Sequence, residues 1–142
     1  MSYSDSTDPI GTLKLTIKSA TDLPTLETVN IINPYIKASV NSLTFARTIA
    51  IPATFNPDWN ESLHLPVTAS DHTLIVSVFN AEPTSRDDKL GEFTLPIDEL
   101  IHANMDGNHS KIFESELRTA DFSLEKLLPQ GTLDYTVAFY PT

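Results

Sequence analysis

The stretch Gly11-Thr12-Leu13-Lys14-Leu15-Thr16-Ile17-Lys18 alternates polar and apolar residues without a break. Successive side chains of a strand point to opposite faces, so Leu13, Leu15 and Ile17 share one side while Thr12, Lys14, Thr16 and Lys18 share the other. That pattern suits a sheet with one dry and one wet face. It recurs in Tyr35–Val40, in Glu61–Pro66 with Leu63 and Leu65 opposed to His64, and in Gly131–Pro141 with Leu133, Tyr135, Val137 and Phe139 on one face. Thr44–Ile51 is rich in β-branched residues, and Thr73–Phe79 is the dense apolar run of a central strand. Glu92–Leu95 and Lys111–Arg118 complete the set. Seven or eight short strands separated by turn residues predict an antiparallel β-sandwich. Pro96–Asn104 and Asp121–Leu128 are expected as short helices in the connections, and Asp106-Gly107 as a turn.

A chain of 142 residues with 40% hydrophobic content supports one domain. Residues 11–142 are expected to form it, with residues 1–10 as a flexible leader or linker that lacks the features of a signal peptide. There is no cysteine, which excludes disulfides and thiolate metal sites and fits a reducing compartment. No apolar run approaches the ~18 residues of a membrane-spanning helix. A net charge of −10 argues against nucleic-acid partners and, for the body as a whole, against anionic surfaces. His64, His72, His102 and His109 share no metal-ligand spacing, and none stands beside a serine in an elbow context. No glycine loop is built to cradle phosphate, so the chain is not expected to be an enzyme.

Four motifs in order carry a resemblance: Ala20-Thr21-Asp22-Leu23-Pro24, Asn33-Pro34-Tyr35-Ile36-Lys37, Asn56-Pro57-Asp58-Trp59-Asn60-Glu61, and Leu90-Gly91-Glu92. The chain resembles a C2 domain, the eight-stranded lipid- and calcium-binding β-sandwich. Asn56-Pro57 starts a turn, Trp59 is expected to plug one end of the sandwich, and Gly91 to supply a backbone conformation other residues resist. Gly131-Thr132-Leu133-Asp134-Tyr135-Thr136-Val137 looks like a strand that opens the chain in synaptotagmin-type members. Here it comes last, which implies the phospholipase-type (type II) strand order. The closing Phe139-Tyr140-Pro141-Thr142 is similar to domain ends in the tricalbin and extended-synaptotagmin group. That group tethers endoplasmic reticulum to plasma membrane and moves lipid. The resemblance thus implies a module at the cytosolic face of membranes, including endoplasmic reticulum–plasma membrane contact sites.

In calcium-binding members, aspartates from two loops hold the ions. The matching positions here are Glu27 and Asn33 in the first loop and Asn80, Glu82 and Asp88 in the second, with Ser85 where a hydroxyl ligand occasionally sits. Two carboxylates are thus replaced by amides. Calcium affinity follows ligand charge, and each lost carboxylate removes a Coulomb contribution of roughly 4 kcal/mol at ~4 Å and an effective dielectric of about 20, before desolvation offsets most of it. The resemblance therefore implies a degenerate site: no cofactor is expected, and any calcium binding is weak. Asp87 and Asp88 also admit a plainer reading, a solvated loop salted by Arg86 and Lys89.

Basic residues are sparse between Tyr35 and Ile51, where only Lys37 and Arg47 occur, so electrostatic lipid docking is minimal. Val29, Ile31 and Ile32 near a loop tip can wedge into a bilayer or a partner protein, or turn inward and cap the sandwich. The expected role is a non-catalytic module making calcium-independent contacts with a phospholipid membrane surface or a protein partner. The alternatives are a pure protein-interaction or self-association module and a calcium-dependent phospholipid binder.

Overall fold

The computed structural model describes residues 8–24, 31–103, 109–118 and 125–142. Eight strands and one helix follow in order: β1 (Pro9–Thr21), β2 (Pro34–Ser39), β3 (Phe45–Arg47), β4 (Asp58–Thr68), β5 (Thr73–Asn80), β6 (Asp88–Pro96), α1 (Ile97–Ala103), β7 (His109–Arg118) and β8 (Glu125–Pro141). The hydrogen-bonded order is β3-β2-β5-β6-β7-β8-β1-β4, with every pairing antiparallel. β6 meets β7 at a single register pair, Glu92 with Glu114. The run therefore divides into two four-stranded halves, and the fold is the expected β-sandwich. β8, last in sequence, lies between β1 and β7, which is the strand order the sequence implied.

The alternating residues do what their spacing requires. Leu13, Leu15 and Ile17 are fully buried, opposite Leu65, Leu63 and Glu61 of β4 on one side and Phe139, Val137 and Tyr135 of β8 on the other. From the other half, Ile36 and Ala38 of β2, Leu74, Val76 and Val78 of β5, and Leu90, Phe93 and Leu95 of β6 join the same cluster. Phe93 crosses between the halves, with its ring 5.4 Å from Phe113 and 5.8 Å from Tyr135. Burial drives this packing, at about 25 cal/mol per Å² of apolar surface removed from water. Trp59 is buried at the loop end and its indole N–H donates to the Pro34 carbonyl at 3.2 Å. α1 buries Ile97 and Leu100 as the helical spacing requires.

Three local expectations are corrected. The strand expected over 44–51 shrinks to Phe45–Arg47: the Thr48 N–H still donates to Ile36 O, but the Thr48 hydroxyl, not its carbonyl, accepts the Ile36 N–H, and the Ile49 N–H goes to Glu61. The helix expected over 121–128 is overturned at Glu125–Leu128, which is strand paired with β7 through Leu128–Ser115 and Glu125–Arg118; 121–124 lie outside the described residues, as does the Asp106-Gly107 turn. Gly91 is not the glycine with positive φ. It sits in β6 beside a bulge, where Val78 pairs with Gly91 and Phe79 with Lys89, leaving Leu90 as the extra residue. Among the described residues the glycine in that region of backbone space is Gly131, at φ 83, and a Cβ there would lie 2.9 Å from the carbonyl oxygens of Thr21 and Asp22.

Truncating Phe113 to alanine removes a fully buried ring from the junction of the halves and is expected to cost about 3–5 kcal/mol in denaturant unfolding. A loss under ~1 kcal/mol would mean that the junction repacks or is not a tight contact.

Candidate functional site

β5 ends at Asn80 and β6 begins at Asp88, so the second loop leaves and re-enters the sheet at paired positions. The first loop returns at Asn33, one residue before β2, whose Pro34 is the register partner of Asn80. The antiparallel ladder between β2 and β5 thus brings Asn33 and Asn80 together. Asn80 is fully buried. Its Oδ1 accepts the Asn33 backbone N–H at 2.8 Å, and its Nδ2 donates to Glu82 Oε1 at 2.7 Å. Chemistry fixes that orientation: a backbone N–H can only donate and a carboxylate accepts, so the amide has one way to face both. Asn33 is held in the same manner. Its Oδ1 accepts the Ala53 N–H at 3.0 Å, its Nδ2 donates to the Ala81 carbonyl at 3.4 Å, and its own carbonyl accepts the Ala81 N–H at 3.0 Å.

Both amide oxygens are therefore occupied by backbone donors, and a proton-bearing nitrogen faces Glu82. A cation seated between Asn80 and Glu82 would have to displace that N–H and leave it buried without an acceptor, at a cost of about 1–3 kcal/mol. Asp88 stands half-buried opposite Asn80 at the start of β6, and Ser85 is exposed at the loop. Glu27 and Val29 lie outside the described residues. Among the described residues, no group of three or more histidines and carboxylates is placed to hold a metal ion.

Asp87 has a role that adjacency to Asp88 concealed. Its Oδ1 accepts the Glu82 N–H at 2.9 Å, closing the second loop on itself, and its Oδ2 accepts the Tyr35 hydroxyl at 2.5 Å. These bonds, the Glu82 backbone first and Tyr35 second, hold the Asp87 carboxyl below its ordinary range. The Tyr35 phenol moves the other way, raised first by burial and then by Asp87. Tyr35 also stacks on Phe79 at 5.5 Å, and Arg47 lies 5.4 Å from its ring. The salted-loop reading of Asp87 and Asp88 is corrected, since Lys89 pairs with Glu92 at 2.7 Å. In the first loop, Ile31 is 58% exposed while Ile32 is wholly buried in the core. Adjacent residues of extended chain face opposite ways, so Ile32 leaves the candidate contact surface and Ile31 remains in it. Tyr35 and Asp87 were absent from the sequence-based site; their signal, the tyrosine of the Asn-Pro-Tyr motif and a second aspartate, is meaningful only once the sheet register is known.

The second loop and the return of the first thus meet at one end of the sandwich, through Asn33 and Asn80. The C2 domain family matches residues 11–114, and the chain belongs to that family. It is 30% identical to tricalbin-1 of Saccharomyces cerevisiae over 135 residues, which is 95% of this chain and 11% of that protein; tricalbin-2 of the same yeast matches to the same extent. The chain thus spans about a tenth of these relatives. Among solved structures, a C2 domain of plant extended synaptotagmin 1 superposes with a TM-score of 0.66 at 24% identity, covering 95% of this chain and 98% of that one. The calcium-bound pair of C2 domains from extended synaptotagmin 2 gives 0.67 at 19% identity, covering 93% and 46%. These likenesses show the fold. No helix among the described residues is long and apolar enough to cross a membrane.

Asn80→Ala removes an acceptor and a donor at once, orphaning the Asn33 N–H, and is expected to destabilise by about 1–3 kcal/mol in chemical denaturation. Asp87→Asn tests the second tie. Because Asp87 titrates below its ordinary 3.8, its charged form contributes stability at neutral pH that fades as pH falls through the acid range. Wild type and Asp87→Asn should therefore differ in stability at pH 7, with the gap narrowing as pH falls below the ordinary carboxylate range; a gap unchanged by pH would exclude the carboxylate's role.

Proposed function

We propose that this chain is a non-catalytic C2 module of a membrane-associated tethering or lipid-transfer protein, and that its loop end works without calcium. The observation that supports this best is the buried Asn80 amide, which sets an N–H, not a cation, against Glu82. With Asn33 and Asn80 engaged by backbone donors, the described donors suit internal hydrogen bonding better than two-ion coordination. The family likeness to tricalbins supports membrane association, and the module would serve at the cytosolic face of a membrane beside other domains of a longer protein. The exposed Ile31 is the described loop residue suited to a lipid or protein contact. His72, the histidine engaged with a carboxylate, pairs with Asp98 at 3.4 Å on open surface, which suits a surface contact better than an acid–base site in a cleft.

Calorimetric titration with calcium chloride is expected to give no micromolar site. Sedimentation with vesicles of mixed phosphatidylserine and phosphatidylcholine should be indifferent to chelator. Two micromolar sites, or vesicle binding abolished by chelator and by Asp88→Asn, would overturn the reading in favour of a calcium-dependent lipid binder. The double variant Asn33→Asp with Asn80→Asp should gain calcium affinity by about tenfold or more, since it restores two carboxylates.

A further inference from the structure

β3 is an edge strand with no hydrogen-bonded strand on its side away from β2; β4 of the other half passes nearby and sends Glu61 to the Ile49 end. The ladder to β2 uses alternate residues: Val40 N–H donates to Thr44 O, Ala38 pairs with Ala46, and Thr48 N–H donates to Ile36 O. In an antiparallel pair the residues between them turn their backbone groups outward, here Phe45 and Arg47. Both ends of this open stretch are closed by side chains. Asn41 Oδ1 accepts the Leu43 and Thr44 N–H groups, Glu61 accepts the Ile49 N–H at 2.9 Å, and Thr48 Oγ1 donates to the Ile49 carbonyl. What remains is a short, bounded template of two N–H and two C=O groups.

The side chains along it are unusual for an edge. Proteins normally blunt edges with lysine, proline or bulges. Here Leu43 is 89%, Phe45 54% and Ile49 65% exposed, in alternate positions with Arg47 among them. Lys37, the register partner of Arg47, places its ammonium 4.6 Å above the Phe45 ring. Neither base belongs to an ion pair among the described residues, in a protein of net charge −10.

We propose that the β3 edge binds an extended segment of a partner protein by strand addition, the segment carrying on one face apolar side chains against Phe45 and Ile49 with a carboxylate between them against Arg47 and the nearby Lys37 ammonium. The period-two row matches the side-chain spacing of an added strand, and the outward backbone groups supply its hydrogen bonds. Charge selects among the possible occupants. A second copy would bring −10 against −10 and set Arg47 near its own counterpart, while a bilayer of anionic lipid would meet the acidic body as a whole. A short strand with a carboxylate placed at Arg47 meets the two local cations within a Debye length of ~8 Å, while Glu61 at the Ile49 end and Asp87 beside Arg47 favour apolar residues on either side of it. This inference is independent of the calcium reading, because it uses the edge from Asn41 to Ile49 with Lys37 and Glu61, and none of the five calcium-site positions.

The test is titration of the ¹⁵N-labelled full chain with a synthetic peptide Val-Thr-Glu-Thr-Val, capped at both ends, which as a strand sets valine, glutamate and valine on one face. The Phe45 and Arg47 amide resonances should shift and become protected from solvent exchange, which contact through side chains alone would not do. Arg47→Glu should weaken the peptide by about tenfold and favour the same peptide with lysine in place of glutamate. Phe45→Pro should abolish binding, since it removes an outward N–H and leaves the bonds of Thr44, Ala46 and Thr48 intact. Absence of binding at millimolar peptide, or shifts centred elsewhere, would overturn the proposal. So would β3 amides already protected in a concentration-dependent dimer, or binding of phosphatidylserine vesicles that is lost in Leu43→Ser with Phe45→Ser and is not competed by peptide.

Discussion

The pairing of β1 on both of its edges is the constraint on which the other strands depend. Leu13, Leu15 and Ile17 place three fully buried side chains at the centre of one half, with β4 and β8 aligned to them residue by residue. A slip of one residue would carry all three to the wet face and Lys14, Thr16 and Lys18 into the core. The facing strands then have one way to cover the resulting apolar surface, and β5, apolar nearly throughout, lies in the interior of the opposite half. Fixing β5 fixes where it ends, at Asn80, and its ladder to β2 fixes what Asn80 meets. The loop-end arrangement is thus a consequence of sheet register.

That dependence explains why much of the fold was legible in the sequence. Period-two patterns in β1, β2, β4 and β8 and helical spacing in α1 are local signals, and local chemistry agreed with tertiary demand. The failures fall where it did not. The short helix expected over Asp121–Leu128 fails at Glu125–Leu128, which is strand because β7 offers a partner. The β-branched content of 44–51 announces a strand that tertiary contacts to Ile36 and Glu61 cut short. Gly91 has the composition of a special conformer but occupies an ordinary strand beside a bulge.

The candidate site was legible as positions but not as bonds. Motif spacing brought out Asn33, Asn80, Glu82 and Asp88, and the structure places these four at the meeting of two loops. Nothing in the spacing revealed which atoms would be consumed internally, because Asn33 and Asn80 are 47 positions apart and Tyr35 and Asp87 are 52 apart. The adjacent Ile31 and Ile32 were likewise inseparable by composition, since which of two neighbours faces inward depends on strand phase.

The interior position of β8 has a further consequence, for how this domain is made. Within the domain, its last strand pairs with its first, Pro141 with Gly11 and Tyr140 with Thr12. Until that strand has left the ribosome, β1 and β7 each lack a neighbour, and Leu13, Leu15 and Ile17 lie beside an unfilled slot. Such long-range closure slows folding and prolongs the life of exposed strand edges. The nascent chain therefore passes through a period in which its most regular strand is also its most adhesive, and it ends only when the C-terminal strand is inserted.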